Sequence, residues 1–138
     1  MAKNYECGKL IKQIHDELDK QANGALSSQN LTLTQMRVLM ELEATSERQL
    51  PLKALESLLH VAQSTTVGIV ARLEQKGYVK SIADANDRRV KRVAITASGM
   101  ECCQNAQSHI KDMEEHLLSG LTEVEKEQFS NLLQKICR

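Results

Sequence analysis

The chain has 138 residues, of which 26% are charged and 41% hydrophobic, and its formal net charge is zero. This length suits one domain with a substantial hydrophobic core. The amino terminus is polar and no apolar run approaches membrane-spanning length, so we expect a cytoplasmic protein with no membrane partner. The four cysteines lack zinc-finger spacing, which predicts reduced thiols and no cysteine metal site, and no cofactor is expected.

Four helices are predicted in the first half of the chain. The first runs from about residue 4 to 26, with apolar residues at helical spacing. The second, from about residue 33 to 46, is apolar on nearly all sides and is expected to be buried. Pro51 suits the first turn of a short third helix over LKALESLL. After the break HVA, a fourth helix covers QSTTVGIVARLEQK and ends at Gly77.

A hairpin and two further helices complete the chain. The hairpin pairs strands at about residues 78–83 and 90–96. Thr96 is placed to cap the fifth helix, and Thr122 with Glu125 forms a capping box for the sixth. The fifth helix carries an apolar seam at heptad spacing, formed by Cys103, Ala106, Ile110, Met113 and Leu117. The terminal helices have more apolar surface than one small domain needs, which predicts pairing with a second copy of the chain.

The third and fourth helices and the hairpin form a helix-turn-helix pattern followed by a basic wing. Proteins with this order place a recognition helix in the major groove. Between Arg72 and Arg92 there are seven basic and three acidic residues, a net charge of +4, whereas residues 101–138 carry −3. A basic stripe on a neutral protein is the footprint expected for phosphate contacts, although a solvated hairpin has the same composition.

The fourth helix has a predicted buried face and a predicted DNA-facing side. The residues expected to face the core are Thr66, Ile69, Val70 and Leu73. Polar groups at the helix N-terminus suit phosphates and base edges, although Gln63 or Ser64 could serve only as a helix cap. The residues predicted to contact DNA are Gln63, Ser64, Thr65, Val67, Gly68 and Arg72 on the helix, and Asp87, Arg88, Arg89 and Lys91 on the hairpin.

These residues resemble the MarR family of winged helix-turn-helix transcriptional regulators. The resemblance covers nearly the whole chain and is carried by LTLTQMRVL, QSTTVGIVARLEQKGYV and DANDRRVKRVAITASG. Asp87 and Arg89 match the family's Asp-x-Arg wing pattern. Ile95, Thr96 and Gly99 match its Leu-Thr-x-x-Gly element, with Ile in place of Leu. The resemblance implies that Arg89 reaches a minor groove, where negative potential is concentrated, while Asp87 orients arginine by a salt bridge.

The resemblance further implies one domain over residues 1–138, mainly α, with six helices and a small antiparallel β-hairpin wing. Helices at about 4–26 and 97–137 would join two copies into a homodimer, and residues 33–96 would form the DNA-binding lobe. Such a dimer binds a pseudo-palindromic operator on double-stranded DNA. We therefore expect a transcriptional regulator, specifically a repressor. No catalytic motif is found, so an enzyme is not expected.

The signal that the protein senses is predicted less directly. The resemblance suggests a small aromatic or phenolic effector in an apolar pocket between the first, second and fifth helices, with His15 and Arg37 as polar contacts. A thiol switch through Cys7 and Cys137 is an alternative, although cysteines on apolar helix faces are usually small buried hydrophobes. A protein-interaction module without DNA binding is another. Helical spacing also allows a metal site, or simply a solvated face, at His109, Asp112 and His116.

Overall fold

The computed structural model describes residues 3–27 and 30–137. These residues form six helices and a three-stranded antiparallel sheet, which confirms a mainly α winged helix. The helices are α1 (Cys7–Leu26), α2 (Leu33–Ala44), α3 (Leu52–Leu59), α4 (Gln63–Gln75), α5 (Ala97–Leu117) and α6 (Glu123–Cys137). The strands are β1 (Gln49–Pro51), β2 (Val79–Ala83) and β3 (Lys91–Ile95), with β3 in the middle. Within the described ranges, no helix is long and apolar enough to cross a membrane.

Several helix boundaries confirm the signals in the sequence. Gly77 has a φ of 79°, a left-handed conformation that ends α4 and that glycine adopts without steric cost. The Thr96 hydroxyl accepts a hydrogen bond from the Gly99 amide at 3.1 Å and caps α5. At the start of α6, the Glu125 carboxylate accepts from the Thr122 amide and the Thr122 hydroxyl accepts from the Glu125 amide, at 2.9 and 3.2 Å.

Two helix ends and the sheet differ from the sequence predictions. The first helix begins at Cys7 and not at residue 4, because Glu6 before it has a left-handed φ of 50°. The second helix ends at Ala44, two residues early. The predicted two-stranded hairpin has a third strand, β1, in which Pro51 lies opposite Arg92. Pro51 is also the N-cap residue of α3, directly before the first turn in which the sequence placed it. Pro51 is tolerated there because β1 is an edge strand, where a missing N–H is not needed by the sheet.

The hydrophobic core is centred on α2 and is shared by the end of α1, by α3 and α4, by the sheet and by the start of α5. Its fully enclosed members include Leu26, Met36, Leu39, Leu42, Leu55, Leu73 and Cys103. Much of the predicted α5 seam is therefore used within the protomer: Cys103 and Ala106 are buried, and Ile110 and Met113 pack against the core from its edge.

One backbone contact joins the end of α4, the start of β2 and the start of α5. The Tyr78 carbonyl accepts a hydrogen bond from the Thr96 amide at 3.0 Å, and the Thr96 hydroxyl donates to the Gly77 carbonyl at 2.6 Å. A Cβ on Gly99 would lie 2.1 Å from the Tyr78 carbonyl oxygen. Only glycine permits this approach, and we call the contact the Tyr78–Gly99 junction.

We expect Gly99→Ala to destabilise the fold, because backbone must move to admit the methyl group. The expected loss is about 3 kcal/mol in the free energy of unfolding, the upper end for overpacking. Gly24→Ala is the matched control, since nothing lies within 4 Å of a Cβ at that exposed helical position. Its helix propensity should stabilise the protein by roughly 0.5–1 kcal/mol. Urea unfolding measures the free energy of unfolding of both variants. A Gly99→Ala protein as stable as the wild type would show that the junction does not require glycine.

Candidate nucleic-acid interface

The N-terminus of α4 is open to solvent and lacks a side-chain cap. Ala62 is the N-cap residue, and the first intrahelical bond runs from the Thr66 amide to the Ala62 carbonyl at 3.0 Å. The first-turn amides of a helix have no acceptor within the helix. The side chains of Gln63, Ser64 and Thr65 are exposed beside them. Because Ala62 holds the cap position, helix capping does not account for Gln63 or Ser64.

The two faces of α4 follow the predicted division. Thr66, Val70 and Leu73 are buried, and Ile69 is half-buried. The buried Thr66 hydroxyl is satisfied by donating to the Ala62 carbonyl at 3.2 Å. The opposite side is exposed and consists of Ser64, Thr65, Val67, Gly68, Ala71, Arg72 and Gln75.

The wing holds Arg89 by a two-pronged ion pair with Asp87. Arg89 Nε donates to Asp87 Oδ1 at 3.1 Å and Nη2 donates to Oδ2 at 3.2 Å, while the Arg89 amide donates to Oδ1 at 3.0 Å. The guanidinium, and next the amide, hold the pKa of the Asp87 carboxyl below its usual range. The Arg89 side chain is nevertheless 91% exposed. Asp87 therefore orients the Arg89 guanidinium, while the exposure of the side chain leaves it open to a binding partner.

A cleft of about 360 Å³ separates the wing from the helix-turn-helix. Gln63 lies on one side, and Arg89 and Lys91 lie on the other. Lys53, in the first turn of α3, adds a third cation, against a single carboxylate at Glu56. Lys53 was not among the residues predicted from the sequence to contact DNA. The position of Lys53 in the first helix of the helix-turn-helix could have predicted this contact, because that helix crosses the DNA backbone.

Two further basic residues that were predicted to contact DNA remain available to a partner. Arg72 and Arg88 are exposed, and neither belongs to the ion pairs found among the described residues.

A hydrogen bond ties the wing to α4. Glu74, near the end of α4, accepts a hydrogen bond from the Ser81 amide of β2 at 2.7 Å. The recognition helix and the wing are thus linked by a direct side-chain contact.

A separate cavity of about 290 Å³ lies between α1, α2 and α5. Its lining is mostly apolar and consists of Leu18, Leu33, Arg37, Met40, Ile110, Met113, Glu114 and Leu117. Arg37 therefore lies where a ligand contact was predicted. His15 lies outside this lining, and its imidazole nitrogens are each 3.6 Å from a carboxylate oxygen, one of Asp16 and one of Asp19.

The four cysteines fall into two exposed and two buried thiols. Cys7 opens α1 and Cys137 closes α6, and both are exposed. Cys102 and Cys103 are buried. Burial, with a smaller effect from Glu43, raises the pKa of Cys103 to about 12, so this thiol stays protonated. In the described part of the chain, no group of three or more His, Cys, Asp or Glu side chains could hold a metal ion. His109, Asp112 and His116 therefore form no such group.

An exposed recognition helix beside a basic wing defines a winged helix-turn-helix DNA-binding protein. Residues 31–91 match the MarR family. The multiple antibiotic resistance protein MarR of Salmonella typhimurium is 28% identical over 130 residues, which cover 94% of this chain and 89% of that protein.

Two solved protein–DNA complexes have the same fold. S. aureus MepR bound to DNA superposes with a TM-score of 0.88 at 27% identity, covering 99% of this chain and 98% of that one. A mutant of E. coli MarR bound to operator DNA gives a TM-score of 0.88 at 25% identity, covering 97% and 95%. This chain matches the family model over residues 31–91 and is similar to MarR-family winged-helix regulators in sequence and fold over nearly its whole length. It is a DNA-binding transcriptional regulator and not an enzyme.

Proposed function

We propose that the protein is a homodimeric repressor that binds a pseudo-palindromic operator in the cytoplasm and is released by a small aromatic or phenolic ligand. The observation that carries the DNA-binding part is the pairing of an uncapped, exposed α4 N-terminus with Arg89, which Asp87 aims outward from the neighbouring wing. Two solved relatives of the same fold are bound to DNA, which supports the DNA-binding part of the proposal.

In this proposal, α4 enters the major groove. Gln63, Ser64 and Thr65 present amides and hydroxyls to base edges and phosphates. The absence of a side chain at Gly68 allows close approach to the groove floor, and Val67 meets thymine methyl groups. Arg72, about one turn beyond, contacts a phosphate.

The wing supplies the second set of contacts. Arg89 enters the minor groove, whose narrow regions concentrate negative potential. Arg88, Lys91 and Lys53 bind the phosphates on either side, because all three are exposed cations near the same cleft or at the wing tip. In this proposal Asp87 binds no DNA itself and instead holds the Arg89 guanidinium through the two-pronged ion pair.

Arg89→Ala should weaken binding to an operator selected from random duplexes by about 1–3 kcal/mol per contacted site, as for a specific arginine contact. Thermal stability should not change, because the side chain is exposed. Arg72→Ala is the contrasting variant: it should weaken binding to all duplexes and lower the salt slope by about one unit per contact. Lys111→Ala, outside the proposed contacts, should bind as the wild type. Wild-type affinity in Arg89→Ala would show that the wing does not engage DNA.

The proposed dimer rests on apolar side chains left uncovered at both ends of the chain. None of the residues Glu123–Cys137 is buried within the protomer. The exposed apolar residues there are Val124, Leu132 and Ile136, and those near the amino terminus are Tyr5, Leu10 and Ile11. Large apolar side chains left exposed at both ends of a chain are typical of a protein interface. A two-fold dimer also places two recognition helices on two half-sites of a palindrome.

Replacing Leu132 and Ile136 together with Glu should dissociate the dimer at micromolar concentration, because four carboxylates would enter one apolar interface. Gln128→Glu, an exposed change on the same helix, is the charge control and should remain dimeric. Sedimentation velocity measures the mass of each variant. A wild-type protein that is a folded monomer at the same concentration would contradict the proposal.

The cavity between α1, α2 and α5 is the proposed effector site. Its size is at the lower end for small-molecule pockets, which suits a single aromatic ring. Arg37 provides a cation for a carboxylate or phenolate, and Met40 and Met113 provide adaptable apolar walls. A ligand there need disfavour the DNA-binding spacing of the two recognition helices by only 1–3 kcal/mol to release DNA about 5- to 150-fold.

Met40→Trp should fill this cavity, so salicylate-like acids that release DNA from the wild type should lose that effect, with operator affinity unchanged. Arg37→Met should weaken the response to acids more than the response to neutral phenols. Titration of these compounds against the DNA complex measures both. Release by peroxide that is lost in Cys7→Ser would contradict this site in favour of a thiol switch.

A further inference from the structure

Arg92 lies in the middle strand of the wing sheet, yet it differs from the other wing cations. Its side chain is only 20% exposed, and each of its three guanidinium nitrogens faces a different acceptor. Nε donates to Gln49 Oε1 at 2.7 Å, Nη1 lies 3.5 Å from Asp84 Oδ1, and Nη2 lies 3.7 Å from Glu47 Oε2. These partners come from β1, from the residue after β2 and from the loop before β1, so Arg92 ties both edges of the sheet together.

Arg92 is therefore a poor phosphate ligand, although its charge counts in the basic stripe. Two carboxylates within 4 Å already offset that charge. Binding a phosphate would require a mostly enclosed side chain to leave three acceptors, one of them the close contact with Gln49. By contrast, the neighbouring Lys91 is exposed and points into the open cleft.

Asp84 connects Arg92 to the wing loop, which we define as residues 84–90. Its second oxygen, Oδ2, accepts hydrogen bonds from the Asn86 and Asp87 amides at 3.0 and 3.1 Å. Its own amide donates to the Val90 carbonyl at 2.9 Å, which closes the loop. Asp87 is thereby fixed at its backbone, and Asp87 is the residue that orients Arg89. A continuous path of contacts thus runs from Arg92 to the exposed tip of Arg89.

We infer that Arg92 and Asp84 are positioning residues for DNA binding, which hold the wing loop and thereby the direction of Arg89, and that neither contacts DNA. This inference rests on the proposed engagement of DNA by the wing. It identifies an acidic residue on the DNA-binding side, Asp84, whose removal weakens binding. Coulomb attraction alone predicts the opposite change in affinity, because neutralising a carboxylate near DNA strengthens the attraction of the protein to phosphates.

The test compares Arg92→Gln, Arg92→Lys, Asp84→Asn and, as the phosphate-contact control, Lys91→Gln. We expect both Arg92 variants and Asp84→Asn to lose on the order of tenfold in operator affinity, within the range for losing a specific arginine contact. Lys91→Gln should lower the salt slope by about one unit per contact. Binding restored in Arg92→Lys, or tighter binding in Asp84→Asn, would overturn the inference.

Amide hydrogen exchange of the free protein tests the same path without DNA. The Asn86 and Asp87 amides should exchange faster in Arg92→Lys and Asp84→Asn than in the wild type, and at the wild-type rate in Lys91→Gln. Unchanged exchange in the first two would overturn the inference. If Arg89→Ala binds DNA as the wild type does, the proposed role of the wing fails, while the exchange rates still decide whether Arg92 and Asp84 hold the loop. If Arg92→Gln does not fold, Arg92→Lys and Asp84→Asn carry both measurements.

Discussion

The backbone contact between Gly99 and the Tyr78 carbonyl is the constraint on which the rest of the structure depends. At this Tyr78–Gly99 junction the recognition helix has just ended, the wing begins and α5 begins. Thr96 reinforces the contact with hydrogen bonds to the Tyr78 and Gly77 carbonyls. Since α5 runs from the junction past the cavity, we expect a tilt of α5 to move the end of the recognition helix that the junction holds. This is the physical basis on which a ligand at Arg37 and Met40 would alter the spacing of two DNA-binding lobes.

The charges of the wing divide into those that hold its shape and those that remain available. Arg92 is committed to Gln49 and to two carboxylates, and Asp87 is committed to Arg89. Lys91 and Arg88 are exposed. The count of seven basic residues in the stripe therefore overstates the number of cations available to phosphates. A loop already ordered by its own carboxylates also loses less conformational entropy when it binds, which favours affinity without further contacts.

Local signals in the sequence predicted much of this architecture, because caps and glycine turns act over three or four residues. Thr96, the Thr122 capping box, Gly77 and the buried face of α4 are where they were expected. The strand β1 was missed because three residues ending in Pro51 carry no alternating pattern. The partners of Arg92 come from distant segments, so a count of charges could not separate it from Lys91. The α5 seam was recognised, but periodicity alone could not show that Cys103 and Ala106 face the protomer's own core.

Methylation interference on an operator selected from random duplexes reports the contacts in each groove separately. Guanine N7 lies in the major groove and adenine N3 in the minor groove. If each α4 of a dimer lies in the major groove, N7 methylation will block binding in two patches about 34–36 Å apart. If Arg89 enters the minor groove, N3 methylation will block binding beside each patch in the wild type but will have no effect on Arg89→Ala. A single N7 patch, or N3 interference that persists without the Arg89 side chain, would show that the dimer does not bind DNA in this way.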